Sequence, residues 1–194
     1  MNTITQLLLD KLSSGGLSQI SQQIGANEQN TSSALSMALP LLVSALAKNS
    51  SQPDGAQALH QALAKDHNGS ILKDVAGYLT NPQAANGAGI LEHVLGGQQP
   101  VVTQALAKGT GMQSDQIAQL LQIAAPLLMG ALGKKQKQSK LDADALSNYL
   151  GVQKQKTQQA APDMMSTLNT LLDSNGDGSA LDEIIGFAGK LFGK

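Results

Sequence analysis

The 194-residue chain contains no cysteine, no tryptophan and no arginine. Without cysteine there are no disulfides, zinc–thiolate sites or thiol nucleophiles. Without arginine all 13 basic residues are lysines, so the forked guanidinium that grips phosphate and carboxylate in pairs is missing. The formal net charge is −1, far from the positive balance that nucleic-acid binding requires, and no nucleic-acid partner is expected. Aromatic residues are limited to Tyr78, Tyr149, Phe187 and Phe192, so the core must be aliphatic. No Val-, Ile- and Thr-rich alternating run points to strands. The opening MNTITQLLLDKLSSGGL has no basic leader, and Asp10 and Lys11 interrupt its short apolar run. No uninterrupted apolar stretch reaches about 18 residues. A signal peptide and a membrane span are therefore not expected, and a cytoplasmic location is.

What the chain has in quantity is Leu, Ala and Gln, all strong helix formers, at a length that buries a sizeable core. The expected class is all-α. An internal repeat organises it. Residues Gly25–Lys48 align without gaps to Gly111–Lys134, with Gly25, Leu35, Ala38, Pro40, Leu41, Leu42, Ala45, Leu46 and Lys48 recurring as Gly111, Leu121, Ala124, Pro126, Leu127, Leu128, Ala131, Leu132 and Lys134. Leu and Ala matches arise easily from composition, but the shared Gly and Pro argue for duplication. The repeats span about 17–65 and 103–151. Each reads as a helix with Pro near its middle, where the lost donor and the ring's clash predict a kink or break. A shorter motif, a small turn residue followed by a short amphipathic helix and a Gly, occurs at Gly69–Gly77, Ala88–Gly96 and Gly178–Gly186.

Loops are predicted at 49–55, 81–89, 96–100 and 133–140, where Gly, Pro and polar residues cluster. The Gln- and Lys-rich stretch Val152–Pro162 reads as a linker. It would separate a repeated helical body, 1–151, from a C-terminal helix–loop–helix, 163–194, whose last helix carries Ile184, Ile185, Phe187, Leu191 and Phe192 on one face for docking on the body.

The PLLVSALAK and PLLMGALGK repeats, HNGSILKDVAGYL, GILEHVLGG and the terminal DSNGDGSALDEIIGFAGKLFG together resemble the YidB-like bacterial proteins, a domain family of unknown function (number 937 in its series). The resemblance covers nearly the whole chain. It implies a multihelical cytosolic domain and supplies no catalytic residues.

One stretch has spacing that points to specific chemistry. Asp173-Ser-Asn-Gly-Asp-Gly-Ser-Ala-Leu-Asp-Glu183 is similar to the first half of an EF-hand-type calcium loop. Asp173, Asn175 and Asp177 would offer side-chain oxygens at positions 1, 3 and 5, Gly178 allows the sharp turn, and Ser179 would offer its carbonyl. Position 12, normally a bidentate Glu, is Ile184, leaving Asp182 or Glu183 to close the shell. No lysine lies between Lys156 and Lys190, although five acids do. Clustered carboxylates repel unless solvated, protonated or bound to a cation. The competing account needs no ion: Asp177 or Ser179 caps the following helix, and acids at a helix start complement its dipole. Both stand. Upstream, Ala64-Lys-Asp66-His-Asn68-Gly69-Ser70 with Asp74 follows the same pattern, but Ala64 and Lys73 replace two donors, so it reads as a degenerate second site.

His60, His67 and His93 lack H-x-x-x-H spacing and read as surface or partly buried residues. No serine occurs in a G-x-S-x-G motif. The Lys134–Lys140 run reads as a solvated loop after a helix end. With only Lys190 and Lys194 as cations, the final helix has weak attraction for a membrane. The expected function is therefore a non-catalytic interaction or scaffold protein with a protein partner and a structural calcium loop. The alternatives are a calcium-responsive regulator and a small-ligand binder or enzyme.

Overall fold

Helices begin where the chain supplies caps. Thr3 opens the first with a capping box: its hydroxyl accepts from the Gln6 amide, and the Gln6 side chain accepts from the Thr3 amide. Asn27 accepts from the Asn30 amide and starts the first long helix. The second long helix starts at Gln113, whose amide donates to Gln116 Oε1. The computed structural model describes residues 3–160, and the regular structure among them is all helical: α1 (Ile4–Leu12), α2 (Gly16–Ile24), α3 (Glu28–Asn49), α4 (Pro53–Lys65), α5 (Val75–Thr80), α6 (Gly87–Leu95), α7 (Gln99–Thr110), α8 (Ser114–Ser139) and α9 (Ala143–Ala160), with 3-10 turns at Ser70–Leu72, Pro82–Ala85 and Gly96–Gln98.

The two similar stretches fall on similar local structure. Gly25 ends α2 at φ +65° and Gly111 ends α7 at φ +71°, a left-handed conformation that favours glycine. A long helix follows each, with Pro40 and Pro126 inside. The predicted break does not occur, because α3 and α8 are each continuous through their proline. Pro40, Pro126 and most of their apolar neighbours are buried in the core.

Helices α3 and α8 lie side by side at the centre and carry much of the aliphatic core, including Leu35, Leu39 and Leu42 on one and Ile117, Leu120, Leu121 and Leu127 on the other. Each such side chain contributes roughly 1.5–3 kcal/mol on burial. By length and composition both helices could cross a membrane, but most of each apolar window is covered by neighbouring helices, which accounts for its hydropathy. The helices around them cross between halves. Helix α4 packs on α8 and α9 and only marginally on α3, whereas α9 packs on α3 and α4 and only marginally on α8.

Three predicted breaks are helical, and the first of them, 96–100, is a 3-10 turn followed by the start of α7. Residues 133–139, including most of the lysine run, continue α8, and the left-handed Lys140 ends it at φ +50°. Lys135 sits 5.6 Å from the centre of the Tyr149 ring, and Gln136 is buried with its Nε2 donating to His60 O at 3.0 Å. Residues 152–160 of the predicted linker continue α9. The reason is packing: Gln153 is buried and its Oε1 accepts from the Ile4 amide at 2.9 Å, tying α9 to the start of the chain. The short motif also divides. At 69–77 the chain turns at Gly69, makes a 3-10 turn and restarts as α5 behind Asp74, while 88–95 lies within α6. The third copy, the C-terminal helix–loop–helix and the candidate calcium loop lie outside the described residues.

Candidate functional site

Helix α8 presents its middle and C-terminal half to the segment that links α4 to α6. A Cβ built on Gly133 would fall inside the His67 carbonyl oxygen, with the His67 carbonyl carbon at 2.8 Å. One on Gly130 would strike the Ile71 side chain. These are points where the two similar stretches differ, since the aligned positions of α3 hold Ser44 and Ala47. A smaller residue on α8 lets loop backbone approach the helix directly.

Pro126 shapes the same face. It cannot donate to the carbonyl of Gln122, one turn earlier. Gly87, the first residue of α6, packs against that carbonyl so closely that a Cβ there would overlap its oxygen. In the same turn the Tyr78 hydroxyl donates to Ile123 O at 2.9 Å. Burial raises the Tyr78 pKa, so the phenol remains a neutral donor.

Two open grooves flank this region. The larger, about 450 Å³, is lined by Asp66, His67, Ser70, Asn86, Ile90 and Pro126 among others. The smaller, about 360 Å³, is bordered by the amides Gln23, Asn81, Gln83, Gln119 and Gln122 and by Thr80. The first brings together one imidazole, one exposed carboxylate and one hydroxyl against an apolar floor. His67 is half-buried, and desolvation lowers its pKa despite the opposing charge of Asp66, so the ring is neutral near pH 7.

Linkage fixes the sign of the resulting pH effect. With the folded pKa below the unfolded value of 6.5, the unfolded chain binds more protons between the two values. This contribution is complete above pH 6.5 and is lost as pH falls through the folded pKa. Denaturant midpoints from pH 7.5 to 5 should decline over that window, and His67→Gln should flatten the decline. Parallel profiles for the two proteins would contradict the assignment.

The upstream acid motif is occupied with its own backbone. Asp74 accepts from the Gly77 amide at 2.7 Å as the cap of α5, and Asn68 accepts from the Ser70 amide at 3.0 Å. Asp66 is the exposed C-cap residue of α4. Among the described residues no group of three or more His, Asp or Glu side chains is placed to hold a metal ion. His93 Nδ1 lies 2.7 Å from Gly89 O on its own helix, and His60 stands on α4, so the three histidines are used separately. Asp173, Asn175, Asp177, Ser179, Asp182 and Glu183 are outside the described residues. Sequence reading missed both grooves, because they form between segments distant in the chain. The one available signal was Gly130 and Gly133 replacing Ser44 and Ala47.

No curated protein and no solved structure matches the chain. A family model, described as a bacterial protein of unknown function (DUF937), matches residues 6–136, from α1 to near the end of α8. That match takes in both long helices and most of the helices packed on them, and the chain belongs to this family.

Proposed function

We propose that the protein is a non-catalytic helical scaffold that binds a protein partner on the α8 side of an internally duplicated body. The supporting observation is how its polar side chains are spent. Gln116 Nε2 donates to Gly25 O at 2.7 Å, Asn49 Nδ2 to Val94 O at 3.0 Å and Ser147 Oγ to Ser50 O at 2.7 Å. Gln23 Nε2 donates to Leu79 O. With Gln136, Gln153 and Tyr78, these groups connect one segment to another, which is how a rigid presenting surface is built. The grooves beside α8 give that surface relief.

A photo-crosslinking residue placed in cells at Ser70 or Gln83 tests this reading. The scaffold reading expects one discrete protein adduct from these sites and none from Gln57, an exposed position on α4. Turnover of an ester or phosphate substrate that His67→Gln abolishes would overturn it in favour of an enzyme.

A calcium loop at Asp173–Glu183 extends the proposal, on the oxygen spacing of Asp173, Asn175 and Asp177 and the absence of lysine around them. Calcium bound only by the folded chain adds stability by mass action, about 2.7 kcal/mol at a hundredfold excess over Kd. Asp177→Ala should abolish both the heat of calcium binding and the calcium-dependent rise in Tm, while Asp66→Ala should leave both intact. Equal melting in chelator and in excess calcium, with no calorimetric heat, would establish the capped turn instead. A calcium-dependent change in partner binding, beyond stabilisation, would favour the regulator.

A further inference from the structure

The two halves of the chain are built on each other, and a single glycine joins them. Helices α1–α6 precede Gly96 and α7–α9 follow it. Across that point α3 packs on α8, α4 on both α8 and α9, α9 on α3, α7 on α3, and α1, α2 and α6 on α8. Polar ties cross it too: Gln153 to Ile4, Gln116 to Gly25, Gln136 to His60, Ser147 to Ser50 and Tyr78 to Ile123. Each half therefore needs a partner half to cover its long helix.

The hinge between them is short and has a second available geometry. Gly96 has φ +54° and ψ −136°, a conformation that side-chain-bearing residues avoid. Leu95, Gln98 and Gln99 are already right-handed helical, and Gly97 does not have positive φ. A Cβ at Gly96 or Gly97 would meet nothing within 4 Å, so a side chain at either position has room. Turning Gly96 alone to helical φ and ψ would fuse α6 and α7 into one helix over 87–110. Pro100 would lie inside it, as Pro40 and Pro126 lie inside α3 and α8. The fused helix would carry α7–α9 away from its own first half.

We infer that the chain also pairs with another copy of itself: residues 99–160 exchange between two molecules, remaking every cross-half contact in a twofold dimer. Short hinges joining halves that complete each other favour such exchange. The scaffold reading does not depend on it.

The lack of cysteine makes the test direct. Ser50→Cys with Ser147→Cys places the only two thiols across the halves, where the Ser147 hydroxyl now reaches the Ser50 carbonyl at 2.7 Å. The double variant is unfolded, refolded at low and high protein concentration, oxidised and run without reductant. Dilute refolding should give an internal disulfide in a monomer, and concentrated refolding should give disulfide-linked dimers. Adding Gly96→Ala, which disfavours the positive φ and favours the helix, should raise the linked-dimer fraction about tenfold at equal concentration. Should Gly96→Ala fail to fold, the concentration series alone decides. Internal disulfides at every concentration would overturn the exchange. So would a chain with its native serines that dimerises by light scattering while the cysteine variant still forms only internal disulfides.

Discussion

Leu35→Ala and Leu121→Ala should each cost about 3–5 kcal/mol, the range for deleting a buried leucine from a core that cannot collapse around the void. Both side chains are 0% exposed, at aligned positions of α3 and α8, within one continuous aliphatic cluster. A domain of this size has only about 5–15 kcal/mol to lose, so either change should lower Tm by roughly 6–20 °C. Because α3 and α8 touch, each variant should still melt in one transition, with both halves lost together. Leu7→Ala, at a side chain 56% exposed, should change stability by about 0.5 kcal/mol or less. Two separate transitions, or a loss under about 1 kcal/mol from Leu121→Ala, would contradict a shared core.

Two glycines inside helices should respond to alanine with opposite signs. In an exposed helix interior the change gains about 0.5–1 kcal/mol, since alanine loses less backbone entropy. Gly151 in α9 has open space where a Cβ would go, so Gly151→Ala should stabilise by about that amount. Gly133 in α8 would drive its Cβ into the His67 carbonyl, with Leu63 O also close at 3.3 Å. Backbone cannot rotate away as a side-chain tip can. Overpacking of this kind costs about 1–3 kcal/mol and exceeds the propensity gain, so Gly133→Ala should be net destabilising. It should also alter the larger groove, because His67 lines it. Equal stabilisation by both substitutions would mean that the loop is not seated on α8.

The α-helical class was legible because helices leave local marks. Leu and Ala dominate, no alternating Val, Ile and Thr run appears, and Gly25 and Gly111 recur ahead of the two Pro-containing stretches. The likeness of α3 to α8 was also readable, down to the shared Pro and Lys. The boundaries at 133–140 and 152–160 were misread for one reason. Polar Gln and Lys residues mark a loop in isolation, yet Gln136 and Gln153 bury their amides against carbonyl and amide groups of distant segments. No local pattern contains that partner.

The candidate sites divide in the same way. Asp74 and Asn68 have calcium-loop spacing, but oxygen spacing and helix-capping spacing coincide at a loop–helix junction, and here the backbone takes both oxygens. The sequence by itself determined what could form: an aliphatic, cysteine-free helical chain with two similar Pro-containing stretches and an acid-rich C-terminal segment. Tertiary structure decided what meets what. The halves pack across each other as well as within themselves, Pro126 opens a carbonyl that α6 covers, and two glycines on α8 admit a loop that brings His67 to a groove. Those outcomes depend on contacts between residues scores of positions apart, where the balance of packing and buried hydrogen bonds is set by the whole fold.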